Sequence, residues 1–343
     1  MRHRTLTSLL AGLCVAAPLL RPTAGAQERQ RPDESPTIRR TVDLVNLTFS
    51  VQTRRQKLVT DLDLKNFRVF EDGEPQRILH FSRETDLPLR IGILLDTSNS
   101  IRPRLKFEQE AAIDFLYHVV RRGKDQAFLM IFDNEAAVVH EFTDDLGSLT
   151  DTILKLRAGG GTALYDGVYE ACLRKLINPP PDPEKREIRR ILVVISDGED
   201  NLSRRSRSEA LEMARRAEVA IYTISTSTDW VSVTGPTPQK WDKTPGDKVL
   251  EGYAGETGGR AFFPYRLDDL ARSFLDIGAE LRSQYSLAYM PSNRTMDGKF
   301  RSIRVETDRK DLVVRARKGY FAPPASANPA SKDGRPASPP APR

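Results

Sequence analysis

The chain has 343 residues, of which 39% are hydrophobic and 29% charged, with a formal net charge of +6. Those values exclude a collagen, a coiled coil, a polytopic membrane protein and a wholly disordered chain. The length suits about two domains.

The N-terminus reads as a targeting segment. Arg2 and Arg4 precede an uncharged apolar stretch from Leu6 to Leu20, and Ala24-Gly25-Ala26 offers a small-x-small cleavage site. This predicts a secretory signal peptide over 1–26 and a mature start at Gln27. The stretch is short for a membrane span, and Pro18 interrupts it. Cleavage would remove Arg2, Arg4 and Arg21, lowering the net charge from +6 to +3. It would also remove Cys14 and leave Cys172 without a disulfide partner. Cys172 shares an apolar helical pattern with Val168 and Leu176, which predicts a buried structural thiol. No other run is long enough to cross a bilayer. The expectation is a secreted, periplasmic or envelope protein without a membrane span.

Residues 27–40 are polar and are expected to form a disordered linker. In 41–85, Val45, Leu47, Phe49 and Val51 alternate with polar residues, the mark of a half-buried strand. Asp72-Gly73 lies between the β-prone runs Phe67–Phe70 and Ile78–Phe81 and predicts a hairpin. The region is too small for a sandwich of its own.

From 88 to 283 the rhythm changes. Ile91–Leu95, Ala127–Phe132, Ile191–Ile195 and Val219–Ile224 are continuous apolar runs, suited to strands buried on both faces. Helical periodicity fills the gaps, at Phe107 to Val120, Ala210 to Ala217 and Leu270 to Leu281. The expected fold is α/β, a Rossmann-like, doubly wound domain with a mainly parallel sheet. In 284–321, Tyr285, Leu287 and Tyr289 alternate, as do Arg301, Ile303 and Val305, and Leu312–Ala316 suits a last strand. The economical architecture joins the N- and C-terminal strand regions into one small β-sandwich that flanks the α/β domain or holds it as an insertion. Residues 322–343 carry 7 of the 23 prolines and are expected to be a disordered Pro/Ala-rich tail.

In open α/β sheets, ligands bind beyond the carboxyl ends of the strands. The first apolar run ends in Asp96-Thr-Ser98-Asn-Ser100, and the third ends in Ser196-Asp197-Gly198. Between them Gly159-Gly-Gly-Thr162 opens a helix. Two carboxylates and three hydroxyls at one sheet edge suit a hard cation, with Mg²⁺, Mn²⁺ or Ca²⁺ as candidates. No histidine or cysteine is placed to make a zinc site.

The Asp96, Ser98, Ser100 pattern, with Thr162 in its Gly-rich turn and Asp197 in Ser-Asp-Gly, resembles the metal-ion-dependent adhesion site of von Willebrand factor A domains. The resemblance covers about residues 88–283. It implies that Ser98, Ser100 and Thr162 contact the metal, that Asp96 and Asp197 act mainly through water, and that a protein partner supplies an Asp or Glu as the remaining ligand. The flanks Asp63-Leu-Lys-Asn-Phe67-Arg-Val-Phe-Glu-Asp-Gly73 and Arg317-Lys-Gly-Tyr-Phe321 resemble those of exported bacterial proteins related to that domain. Asn99 departs from the family's usual glycine, and Asn tolerates such turns.

Other acids have plainer readings. Glu199 and Asp200 read as solvated loop acids, Asp133 as a turn residue or an outer support of the site, and Asp166 as a favourable charge at a helix start. Trp230–Asp247 reads as a long loop near the site. A phosphate-binding G-x-x-x-x-G-K-[ST] loop is absent, as are a G-x-S-x-G elbow and a clustered basic face with aromatics. The sequence therefore points to a non-enzymatic module that binds a protein partner through metal, and not to a nucleic-acid binder. The alternatives are a structural scaffold with an unused site and a metal-assisted hydrolase.

Overall fold

The computed structural model describes residues 44–83, 87–184, 186–227, 243–264 and 267–325, with side chains in the last helix from Arg272. The expected signal peptide, the 27–40 linker, almost all of the tail and most of the Trp230–Asp247 segment lie outside the described residues.

The chain begins with β1 (Val45–Thr53), β2 (Phe67–Glu71), β3 (Glu74–Gln76) and β4 (Ile78–Ser82). The α/β part follows: β5 (Leu89–Asp96), α1 (Leu105–Val119), β6 (Gln126–Phe132), β7 (Ala136–Thr143), α2 (Leu146–Leu154), α3 (Leu164–Ala171) and β8 (Arg189–Ser196). It continues through α4 (Arg207–Arg216), β9 (Ala220–Ser225), α5 (Pro245–Thr257), β10 (Ala261–Phe262) and α6 (Leu267–Arg282). The chain then returns to β structure in β11 (Tyr285–Tyr289), β12 (Phe300–Thr307), β13 (Leu312–Ala316) and β14 (Gly319–Phe321).

The central sheet runs β10-β9-β8-β5-β6-β7 and is parallel except for the edge strand β7. Every residue of β5 is buried, because helices cover both faces. Ile91, Ile93, Leu95, Val193 and Ile195 pack against α1, α2 and α6 through residues such as Phe115, Leu149 and Phe274. Leu94, Met130, Leu192 and Val194 pack on the other face against α3, α4 and α5. The alternation of strand and crossover helix thus gives the doubly wound layers that the apolar runs predicted.

Two further four-stranded sheets, β13-β1-β11-β4 and β14-β12-β2-β3, each combine strands from before and after the α/β part. They share a core of Leu47, Phe49, Phe67, Val69, Tyr285, Leu287 and Ile303. Phe49 and Tyr285 stack, with ring centroids 5.5 Å apart. The α/β part is inserted between β4 and β11 of this sandwich.

The expected hairpin is different in detail. Asp72 (φ +48°) and Gly73 (φ +90°) do form the turn, but they join β2 to the short β3. Ile78–Ser82 crosses to the other sheet and pairs with β11. Pro75 explains part of the change: it fits the edge strand β3, where no second partner needs its missing N–H.

Candidate metal site

Register brings the site together before any side chain is considered. Leu95 of β5 lies opposite Ile195 of β8, and Ser196 lies opposite Ser225 of β9. Asp96, Ser196 and Ser225 therefore end three adjacent parallel strands in one row. The chain leaves this carboxyl edge through loops that carry hydroxyls.

Asp96 is fully buried, and both of its oxygens are held. Oδ1 accepts the Ser98 backbone N–H at 2.8 Å, and Oδ2 accepts the Ser196 hydroxyl at 2.8 Å. The Ser98 and Ser100 hydroxyls are 2.9 Å apart, and Ser100 donates to Asp197 Oδ2 at 3.3 Å. Three of the five expected residues, Ser98, Ser100 and Asp197, thus form one tract of touching oxygens, and Asp96 is tied to it through the Ser98 N–H. Thr162, also buried, is not bonded to that tract and is held instead by its backbone. Its N–H donates to Asn201 Oδ1 at 2.9 Å, and its carbonyl accepts the N–H groups of Asn201 and Leu202. The Gly-rich turn is stitched to the first loop by Gly159 N–H to Thr97 O and Asn99 N–H to Gly160 O. Asn99 has no positive φ, so its own position does not use the left-handed region that would have favoured glycine.

Burial is costly for these carboxylates. Loss of water pushes the Asp96 carboxyl up to about 6, partly opposed by bonds from Ser98 and Ser196, while the Asp197 charge adds to the rise. Glu108 of α1 is completely buried. Burial, and then the charge of Asp96, hold it well above the usual carboxylate range. Its Oε1 accepts the Thr226 hydroxyl at 2.9 Å, whereas its Oε2 is buried without a hydrogen-bond partner. The two desolvated carboxyls, Asp96 and Glu108, the Asp197 charge beside them and the orphaned oxygen outweigh the one opposing charge named at Glu108, that of Arg104. A divalent cation fits that deficit, and the neutral hydroxyls of Ser98 and Ser100 supply the oxygen donors such an ion prefers. Among the described residues, no three His, Cys, Asp or Glu side chains could hold a metal by themselves.

The neighbouring acids divide. Glu199 is exposed, as expected. Asp200 is not a free loop acid: its Oδ2 accepts the Tyr165 N–H at 3.1 Å, at the start of α3, and the Ser203 hydroxyl. Asp166 accepts the backbone N–H groups of Arg204 and Arg205, fixing the loop after Asp200. Asp133 serves its turn, accepting from the N–H groups of Asn134 and Glu135. The expected loop ends earlier than Asp247. Thr244 caps α5 in a capping box with Asp247, which is buried and accepts the hydroxyls of Ser225 and Ser227.

Glu108, Ser196, Thr226 and Asp247 were not singled out from sequence. Glu108 left a trace there, since it lies three and four residues before Ala111 and Ala112 on the buried face of α1. The Thr244-Pro-Gly-Asp247 spacing is likewise a capping signal. Thr226 left none, because its role depends on register between strands, and Ser196 showed only as the first residue of the Ser-Asp-Gly motif.

A doubly wound α/β domain with hydroxyls and carboxylates gathered at its carboxyl edge defines the class. Residues 91–199 match the family model described as the von Willebrand factor type A domain, and the chain carries a domain of this type. The curated relative matched is the uncharacterized protein YabS of Bacillus subtilis, 29% identical over 127 residues. That match covers 36% of this chain and spans about half, 51%, of YabS. Similar solved structures include a von Willebrand factor type A protein from Catenulispora acidiphila, at 12% identity and a TM-score of 0.44, covering 82% of this chain and 73% of that one. The conserved hypothetical protein BatB from Bacteroides thetaiotaomicron is similar at 16% identity and a TM-score of 0.43, covering 56% of this chain and 98% of that one.

Proposed function

We propose that the protein is an exported binding module that captures an acidic residue of a protein partner through a divalent cation, Mg²⁺ or, in its place, Mn²⁺ or Ca²⁺. The observation that carries this reading is the continuous oxygen tract from Ser98 through Ser100 to Asp197, beside the fully buried Asp96. Ser98, Ser100 and Thr162 would hold the ion, with Asp96 and Asp197 acting through water. When bound, the ion supplies an electrophilic docking point for a carboxylate.

The chain's own residues do the rest. Ser196 and the Ser98 N–H fix the Asp96 carboxylate at the end of β5. The Asn201 side chain and backbone hold Thr162. Ser98 is buried while Ser100 is exposed, so the tract opens to a partner at Ser100. Export rests on the basic, apolar and small-residue pattern of residues 1–26. Among the described residues, no helix is long and apolar enough to cross a membrane.

The test uses residues 27–343 as bait on an envelope and secretome extract, in Mg²⁺ and in EDTA, beside Asp96→Ala. A protein retained only by the wild type with metal is the expected result. Equal retention in EDTA and by Asp96→Ala, with no heat on Mn²⁺ titration, overturns the reading.

A further inference from the structure

Beside the site runs a strap, Asn201–Arg205, whose five backbone N–H groups all have acceptors. Asn201 and Leu202 donate N–H groups to Thr162 O at 2.9 and 3.0 Å. Ser203 binds Asp200, and Arg204 and Arg205 donate to the two oxygens of Asp166 at 3.0 and 2.9 Å. Five successive residues are thus pinned to the Gly-rich turn and to α3. What they present outward is held in place before any partner arrives.

Four of its residues are exposed, but Asn201 accepts the Thr162 N–H and Arg205 pairs with Glu209 and lies over the Tyr169 ring, which leaves Leu202 and Arg204 to meet a partner. Leu202 is 47% exposed and lies over Gly161, the residue before Thr162. Its Cγ stands 2.8 Å from where a Cβ on Gly161 would be. A single exposed leucine is ordinary on a protein surface, but this one is fixed at the rim of the oxygen tract. Arg204 is 85% exposed, and its contact with Glu135, itself 80% exposed, is loose at 3.7 Å. An exposed pair of this kind contributes little, so it yields readily to a better acid. Among the described residues, the exposed Asn99, Asn134 and Gly160 stand beside the oxygen tract.

We propose that this strap selects the partner: it accepts a polypeptide segment in which the metal-bound Asp or Glu is flanked by an apolar side chain, seated on Leu202, and by a second carboxylate, paired with Arg204. The proposal rests on the metal-dependent reading above and deepens it. Cation and Arg204 both call for acid, and Leu202 calls for apolar surface, so a purely acidic segment leaves Leu202 in water. A segment with one apolar residue beside its acid buries it. Specificity then comes from three points on a rigid frame.

The probe is a random dodecapeptide library displayed on phage, panned on residues 27–343 in Mn²⁺ and eluted with EDTA. The expected pool holds Asp or Glu beside an apolar residue, with a second acid nearby. Panning on Leu202→Ser, or on the milder Leu202→Ala, keeps the acid and loses the apolar preference. A synthetic peptide from the wild-type pool weakens about 5- to 10-fold on either Leu202 variant and on Arg204→Glu, while the affinity for Mn²⁺ itself matches wild type. An acidic pool with no apolar neighbour, or the same pool from the Leu202 variants, overturns the role of the strap and leaves the metal reading standing. No acid in the eluted pool, or no eluted peptide, in a protein that binds Mn²⁺ overturns the carboxylate reading and this proposal with it.

Discussion

The Ser196 hydroxyl donates to Asp96 Oδ2 at 2.8 Å, joining the last residues of β8 and β5 across the carboxyl edge of the sheet. Ser196 Oγ also accepts the Gly198 N–H at 3.0 Å, so one hydroxyl orients Asp96 and shapes the turn that carries Asp197. Removing it leaves a buried carboxylate oxygen one donor short, a cost of about 1–3 kcal/mol. Supports of this kind typically change metal affinity by about 10- to 100-fold. Ser196→Ala is therefore expected to weaken Mn²⁺ binding by that factor in a calorimetric titration and to lower the denaturation midpoint. An unchanged affinity would detach Ser196 from the site.

The turn after Ser196 is equally exacting. Gly198 has φ +82°, and a Cβ there would come within 2.8 Å of Gly246 Cα and closer still to its carbonyl. Gly246 sits in the first turn of α5, so the two glycines let the helix start pack on the Asp197 turn. Alanine in the left-handed region alone costs about 1–2 kcal/mol, and the backbone clash adds to it. Gly198→Ala should lower the urea midpoint and also weaken metal binding, because Asp197 moves with the turn. A stable variant with wild-type affinity would show that α5 is not seated as described.

The sequence carried what depends on local pattern. Apolar runs such as Ile91–Leu95 and Ile191–Ile195 announced doubly covered strands, and the loops after them announced the oxygen donors. What escaped depends on pairing. Ile78–Ser82 looks like the second arm of a hairpin, yet it crosses to β11 because the turn at Asp72-Gly73 is satisfied by the three residues of β3. The edge strand β7, Ala136–Thr143, has no buried residue, being half-buried or exposed along its length, and lacks the continuous apolar signal of its neighbours. In the site, Thr226 meets Glu108 across 118 positions of sequence, a contact that no spacing rule contains.

Far from that edge, Asp182 is buried and accepts from the Glu184 and Arg186 N–H groups and from Arg186 Nε and Nη2, the last two at 2.9 and 3.0 Å. The bonds from the Arg186 side chain hold its carboxyl down at about 2. A depressed value means that ionised Asp182 favours the folded state. Its contribution is complete above the unfolded value, about 3.9, and disappears as pH falls through about 2. Asp182→Asn should be less stable than wild type between pH 5 and 7, and the gap should close as pH drops from about 4 towards 2. Denaturation midpoints measured across that range check it, and a gap independent of pH would sink the account.

Cys172 tests the core itself. It is fully buried, follows α3 in a π-helical turn (Cys172–Leu176), and packs within the Leu94, Phe128 and Val168 face of the sheet. Burial pushes its thiol well above the ordinary range, so little thiolate exists to react. In residues 27–343 it should resist a thiol reagent such as DTNB at pH 8 in the native state and react promptly after unfolding in urea. Cys172→Ser places a hydroxyl in this apolar layer and should cost about 1–3 kcal/mol. Prompt labelling of the native protein would mean that α3 separates from the sheet on the time scale of the reaction. Because α3 begins two residues after Thr162, such opening would reach the metal site as well, and adding Mn²⁺ should then slow the labelling.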